Sequence, residues 1–441
     1  MTEFKSDKMY FKEYSLRLIF QNVVMGLMMA GDKIVGAIFI GVNTLVATNL
    51  IGPIQLMIYA ISTLFMSGLG SYVGLLLGRK NYVKANRTAS MTMVVLFIIM
   101  LGITVAVISF PEQIAYFVGA RGEVLEITVK YLYYVSFGFV AMVMASAFDV
   151  LIMNEGNPKF VMKINIISTI LNLSLNVIFV AVFKWGIIGL AVATSFSNLI
   201  HFIVSGYYFA FKCKILAFVK PTFDFKILLR IIYNGSSDFI GMFSEGLKRY
   251  IINIAIISFL TPKHMEAYSI VSMFIIIFIS SVYFGTAQGM QPIFSKMMGA
   301  NEFERLKPLF RYSVKMSSYV AIIIFILVAP FMNSIIGLFI SDPETIRIGL
   351  FLYLTFGLAT LFENLPNAAI MFFTAINRPM ESILFSVLRT IILIPILTYV
   401  SIYLLEGYGL MVGTLTAELI MIYISYKYLK PFKFEELAVV S

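Results

Sequence analysis

Of the 441 residues, 60% are hydrophobic and only 13% are charged, against roughly half apolar and a quarter charged in a soluble domain. This balance excludes a soluble fold, and the net charge of +10 does not indicate nucleic acid, because the charges sit in short knots between long apolar runs. With two histidines, one cysteine (Cys213) and no HExxH, GxSxG or Gly-rich phosphate loop, the chain offers no catalytic set, metal cluster or internal disulfide and is not expected to be an enzyme.

A hydrocarbon core of about 30 Å takes about 20 apolar residues per helix. Twelve such runs are centred near residues 27, 61, 98, 138, 170, 198, 243, 281, 320, 360, 391 and 419. They predict an all-α polytopic membrane protein with twelve transmembrane helices. The first run, "NVVMGLMMAGDKIVGAIFIG" at 22–41, follows balanced N-terminal charges and lacks a cleavage signature, so it is expected to be an uncleaved span. Asp32 and Lys33 lie near its middle. An ionisable group inside a span costs roughly 2.5–3.5 kcal/mol and marks a functional site by default. Lys33 points about 100° away on the helix and does not neutralise Asp32 directly.

Asp149 falls nearer the end of span four, where an interfacial structural role is expected. Span five carries Asn165, Thr169, Asn172 and Asn176 at steps of four, three and four. Amides also glue helices together, but four on one face read as the lining of a wet cavity. Span six offers Thr194, Asn198 and His201, and His201 is read as a packing or rim residue. After the basic stretch "FKCKILAFVKPTFDFK" at 211–226, span seven places Asp238 and Glu245 on nearly one face, with Lys248 positioned to pair with Glu245. Glu363 in span ten is followed one turn later by Asn367, while Glu381 and Glu418 are read as span-end residues.

The chain also repeats itself. "GLGSYVGLLLGRKNYVKA" at 68–85 parallels "GMQPIFSKMMGANEFERL" at 289–306, an offset of 221 that also carries Pro158 onto Pro379 and Gly186 onto Gly407. Two parallel six-helix bundles around a central cleft are therefore expected, with residues 1–210 and 227–441 as lobes and 211–226 as the linker. The even-numbered loops hold the Lys and Arg clusters at 79–87, 159–163, 212–230 and 296–315, plus Arg378. The odd-numbered loops hold only Arg121, Lys184, Lys263 and Arg347. Both termini are thus expected in the cytoplasm and the protein in the plasma membrane. One chain closes the cleft, so a monomer is expected. Such an architecture points to a transporter. A carboxylate with amide and hydroxyl oxygens suits Na+, or H+ if desolvation raises its pKa. The 41 Phe, 24 Tyr and 26 Met suit flat organic cations.

"GDKIVGAIFIGVNTLVATNLIGPI", the two paired span endings, "NEGNPKF", "NLSLNVIFVAVFKWGIIGLAVAT" and "FFTAINRPMESI" together resemble the ordered motif series of the multidrug and toxic compound extrusion (MATE) transporters. The resemblance implies an antiporter exporting amphipathic organic cations in exchange for Na+ or H+, with no cofactor beyond the ion. It implies a first-half cation site at Asp32, Asn172, Asn176 and Thr194, an acid at Glu245 and a span-ten acid at Glu363; with Asp238 and Asn367 beside them on their helices, a second acidic centre is expected. Four residues depart from the pattern: Lys33 for a small or apolar residue, Asn377 for a glycine, and Ser236 and Ser237 where a proline is common. The rival is a flippase of lipid-linked sugars or an exporter of other anions, drawing on Lys33, Lys130, Lys248, Arg249 and Arg389.

Overall fold

The computed structural model describes residues 2–39, 42–117, 120–337 and 339–429; the side chains of 2–6, 28–38, 42–53, 55–56, 123, 245–247, 249 and 257 lie outside that description. No strand occurs among the described residues. The helices are α1 (Thr2–Phe39), α2 (Val42–Gly78), α3 (Tyr82–Ser109), α4 (Pro111–Phe117), α5 (Gly122–Ser136), α6 (Phe139–Glu155), α7 (Pro158–Asn176), α8 (Gly186–Lys212) and α9 (Phe225–Phe259). They continue as α10 (Pro262–Ile275), α11 (Ser281–Gly299), α12 (Phe303–Val328), α13 (Met332–Gly337), α14 (Pro343–Thr360), α15 (Asn364–Ala375), α16 (Pro379–Val387), α17 (Ile394–Leu405) and α18 (Gly409–Leu429). Pro158, Pro262, Pro343 and Pro379 each open a helix, where the missing N–H costs nothing.

Eleven of the twelve run centres fall within helix, and the run near 138 centres on the break between α5 and α6. Among the described residues eight stretches are long and apolar enough to cross a bilayer, or nine with the bent pair Val124–Ser136 and Phe139–Glu155, which meet at 45°. Ser195 donates from its Oγ to the carbonyls of Tyr134 (2.9 Å) and Val135 (3.2 Å) at the bend. The stretch Pro379–Leu429 is too long for one span and folds back, α17 packing along α18. Glycine makes that hairpin close: a Cβ on Gly409 would stand 2.2 Å from the Ser401 carbonyl oxygen, and one on Gly413 2.3 Å from Thr398 Cα. Helix α12 leaves Ile323, Ile326 and Leu327 exposed. Apolar residues on the outside of satisfied helices suit lipid. The chain is a multi-pass membrane protein.

The 221-residue repeat is written into the backbone. Lys80 (φ 59°) and Asn301 (φ 60°) are left-handed at equivalent positions, as are Gly156 (φ 99°) and Asn377 (φ 59°). Each pair ends a helix with the same bonds. Asn81 N donates to Leu76 O, and at the equivalent position Glu302 N donates to Met297 O; Asn157 N donates to Ile152 O, and Arg378 N to Phe373 O. These are Schellman-type closures. Asn377 stands where the first half has Gly156, and asparagine tolerates the left-handed region better than most side chains do.

The chain forms two compact units: Val24–Gly235, and Met1–Val23 with Ser236–Ser441. It passes between them inside α1 and inside α9, so residues 211–226 lie within the first unit. In that unit the start of α9 seats against α2. A Cβ on Gly68 would fall 2.0 Å from Ile231 O, and one on Gly235 1.7 Å from Leu64 O. In the other unit the start of α1 seats against α11, with Gly285 against Ile19 and Gly289 against Ser15. Buried Leu69, Val73, Phe148 and Leu151 belong to the core of the first unit; Ile256, Val271, Leu352 and Tyr353 belong to the core of the second.

Candidate ion-coupling sites

In the first unit α7 packs against α8, and the polar stripes of spans five and six meet. Asn172 Nδ2 donates to Thr194 Oγ1 at 3.3 Å, and Asn176 Nδ2 donates to Asn172 Oδ1 at 3.4 Å. Thr194 in turn donates to Leu190 O at 3.0 Å, as helical threonines do when their Oγ back-bonds. Asn176 is 1% exposed and stands where α7 passes into a π-helical turn, Val177–Val182, a break often found at functional positions. Three of the four residues expected to bind a coupling ion therefore form one hydrogen-bonded group. The fourth, Asp32, and its neighbour Lys33 have side chains outside the described residues.

The rest of the stripe goes elsewhere. Asn165 donates to the Asp149 carboxylate at 2.7 Å, and Thr169 back-bonds to Asn165 O. Asp149 is 7% exposed and His201 9%, so neither the interfacial reading of Asp149 nor the rim reading of His201 holds. Helices α6, α7 and α8 close over both.

In the second unit Glu363 and Asn367 come together, around a residue that the sequence connects only with the rival function. Arg389 is 3% exposed. Its Nη1 donates to Asn367 Oδ1 (2.6 Å), Nε and Nη2 donate to Glu418 (2.9 and 2.7 Å), and Nη2 lies 3.2 Å from Glu363 Oε2. Glu418 is fully buried, which corrects its reading as a snorkelling span-end residue: it sits mid-way along α18, out of reach of either interface. Burial of a carboxylate is tolerated here because the guanidinium meets both of its oxygens, Nη2 and Nε converging on Oε1 and Nε also donating to Oε2 at 3.1 Å. A signal was present in the sequence, since Arg389 and Glu418 lie near the centres of the last two apolar runs. Both ends of the cluster use irregular helix: Glu363 closes the 3-10 turn Leu361–Glu363, and Arg389 lies in the π-helical stretch Leu388–Leu393. Asp238 is half-buried on α9, and the Glu245 side chain lies outside the described residues. Glu381 does behave as a helix-end residue, pairing with Arg378 at 2.9 Å.

The sequence profile of the MatE family matches residues 18–178 and again 239–400, two copies whose starts are separated by the repeat offset. Among curated proteins the chain is 24% identical to the "Multidrug export protein MepA" of Staphylococcus saprophyticus, over 80% of this chain and 78% of that protein. It is 25% identical to the "Probable multidrug resistance protein YoeA" of Bacillus subtilis, over 84% and 83%. The fold matches a structure described as the outward-facing conformation of a multidrug resistance MATE family transporter of the MOP superfamily (TM-score 0.89, 17% identity, 96% of each chain). It also matches a MOP superfamily transporter from Pyrococcus furiosus, described as having a binding pocket of reverse polarity that suggests a different function (TM-score 0.86, 16% identity, 97% of each chain).

Proposed function

Because this chain belongs to the MatE family, we propose that it is a secondary active multidrug efflux antiporter, exporting amphipathic organic cations in exchange for Na+ or H+ by alternating access. The observation that carries the ion site is the bonded group Asn172–Thr194–Asn176. Neutral oxygens held together inside a helical membrane unit replace part of a small cation's hydration shell. In this reading Asp32 supplies the charge, and the ion binds better in one of the two access states, which is what lets it drive transport. Glu245, Glu363, Asp238 and Asn367 form the second acidic centre, which attracts the organic cation. The protein works as a monomer in the plasma membrane, its lipid-facing helices in contact with the bilayer and both termini in the cytoplasm.

The names of the relatives, both multidrug proteins, support export of drugs. The anionic reading loses support from Arg389, which is committed to Glu363, Glu418 and Asn367. Lys130 is exposed.

The test is efflux of a fluorescent organic cation from proteoliposomes under an imposed Na+ or pH gradient, for the wild type and Asp32→Asn. The proposal expects gradient-driven efflux in the wild type and its loss in the variant, the effective gradient naming the ion. Efflux that neither gradient drives, or a variant equal to wild type, overturns it.

A further inference from the structure

The α7–α8 seam does not end at the Asn172 group. Thr194 O accepts from Ser197 Oγ (3.0 Å), and Ser197 O accepts from Ser168 Oγ (3.2 Å). One turn further along α8 stands His201, and one turn beyond it Ser205. Both reach across to Asp149 of α6: His201 Nε2 lies 3.1 Å from Oδ2, and Ser205 Oγ donates to Oδ1 at 3.0 Å. Asn165 of α7 donates to Oδ2 at 2.7 Å. From Thr194 to Ser205 the seam runs about three turns, roughly 16 Å along α8. It ends close to the Gly156–Asn157 turn that joins α6 to α7, among the basic loops.

We propose that Asp149 and His201 form a proton-binding site of the transporter, separate from the Asn172 group and joined to it by the polar seam. The carboxylate accepts three hydrogen bonds, so its charged form is well solvated by the protein. A neutral imidazole donating from Nε2 leaves a buried net charge of −1. A proton taken from water onto Nδ1 turns the pair into a neutral ion pair, and its return to water restores the anion; no other bond is made or broken. Histidine is suited to this exchange because its ordinary pKa lies near 6.5.

Few other charges compete for control of the pair. Helix α2 carries no Asp, Glu, Lys or Arg over its length. Lys84 and Arg87 of α3, Glu126 and Lys130 of α5, Lys159 and Lys163 of α7 and Lys212 of α8 are all exposed. Glu155 of α6 accepts from the backbone of Lys214 and Ile215, and the Glu123 side chain lies outside the described residues. The proton's role in transport rests on the antiport reading above; the protonation itself does not.

Only two histidines are present, so 15N-imidazole NMR of the full chain in lipid nanodiscs, with His264→Gln used for assignment, reads His201 directly. The expected result is a His201 signal that changes with pH, and a change that differs in Asp149→Asn, which keeps the side-chain shape but removes the charge. A His201 signal that does not change with pH, or a change indifferent to Asp149→Asn, overturns the proposal. Organic-cation efflux from proteoliposomes across the same pH range supplies the second readout. His201→Gln is expected to flatten its pH profile; a rate lowered equally at every pH is what mere helix packing predicts, and it overturns the transport role. If His201 titrates with Asp149 but no gradient drives efflux, the proton site stands and the antiport reading falls.

Discussion

The two units bury polar side chains in opposite ways. Around Asn172 and Thr194 the described groups are neutral amides and hydroxyls, linked by bonds of 3.3–3.4 Å. Around Arg389 a guanidinium is already clamped between two carboxylates and an amide at 2.6–3.2 Å. The first arrangement can accept a cation without first breaking an ion pair. The second already contains its cation, and another positive charge must compete with Arg389 for Glu363 and Glu418. Repeated sequence has therefore produced the same helix framework with different chemistry inside each copy.

The comparison is most strongly tested by Arg389→Ala, which strands the buried Glu418 carboxylate and the part-buried Glu363. Removing one partner of a buried pair costs about 3–5 kcal/mol, so a large fall in thermal stability of the purified protein is expected; a fall no larger than that of a surface variant would mean the cluster is solvated. Next comes Gly235→Ala, whose Cβ meets Leu64 O at 1.7 Å. Backbone must move to admit it, and a drop in melting temperature of several degrees is expected, with little change for Gly102→Ala, where nothing lies within 4 Å. In the neutral seam Asn172→Ala should cost only about 1 kcal/mol of stability, in line with interhelical polar bonds in membranes, while ion-driven efflux is lost. At the Asn172 seam stability and transport thus separate, whereas loss of Arg389 registers first as lost stability.

The smallest effect is expected outside the spans. Asp342 caps α14 by accepting from Thr345 N (3.1 Å) and Oγ1 (2.7 Å). With Lys263 beside it at 3.0 Å, its pKa is lowered to about 2, the Thr345 hydroxyl being the largest cause. A depressed carboxylate stabilises the fold above its ordinary value near 3.9 and loses that contribution as pH falls through about 2. Asp342→Asn should remove this acid-side slope from a thermal-shift titration and change little at neutral pH.

The sequence alone determined the apolar helical class, because only long apolar runs can satisfy their backbones in lipid. It also determined the repeat, because glycine and proline at helix ends constrain the backbone wherever they recur: Gly156 and Pro158 mark the same turn that Asn377 and Pro379 mark. The α7 stripe was legible as periodicity. Its division was not: which of its members bond to Thr194 and which to Asp149 depends on the approach of α6 and α8, and periodicity describes only one helix at a time. Arg389 and Glu418 stand far apart along the chain, and each looks costly or peripheral when read singly. Only the approach of the π-helical stretch Leu388–Leu393 and of α15 to α18 turns those separate costs into one paired cluster, because an ion pair is a property of the distance between groups.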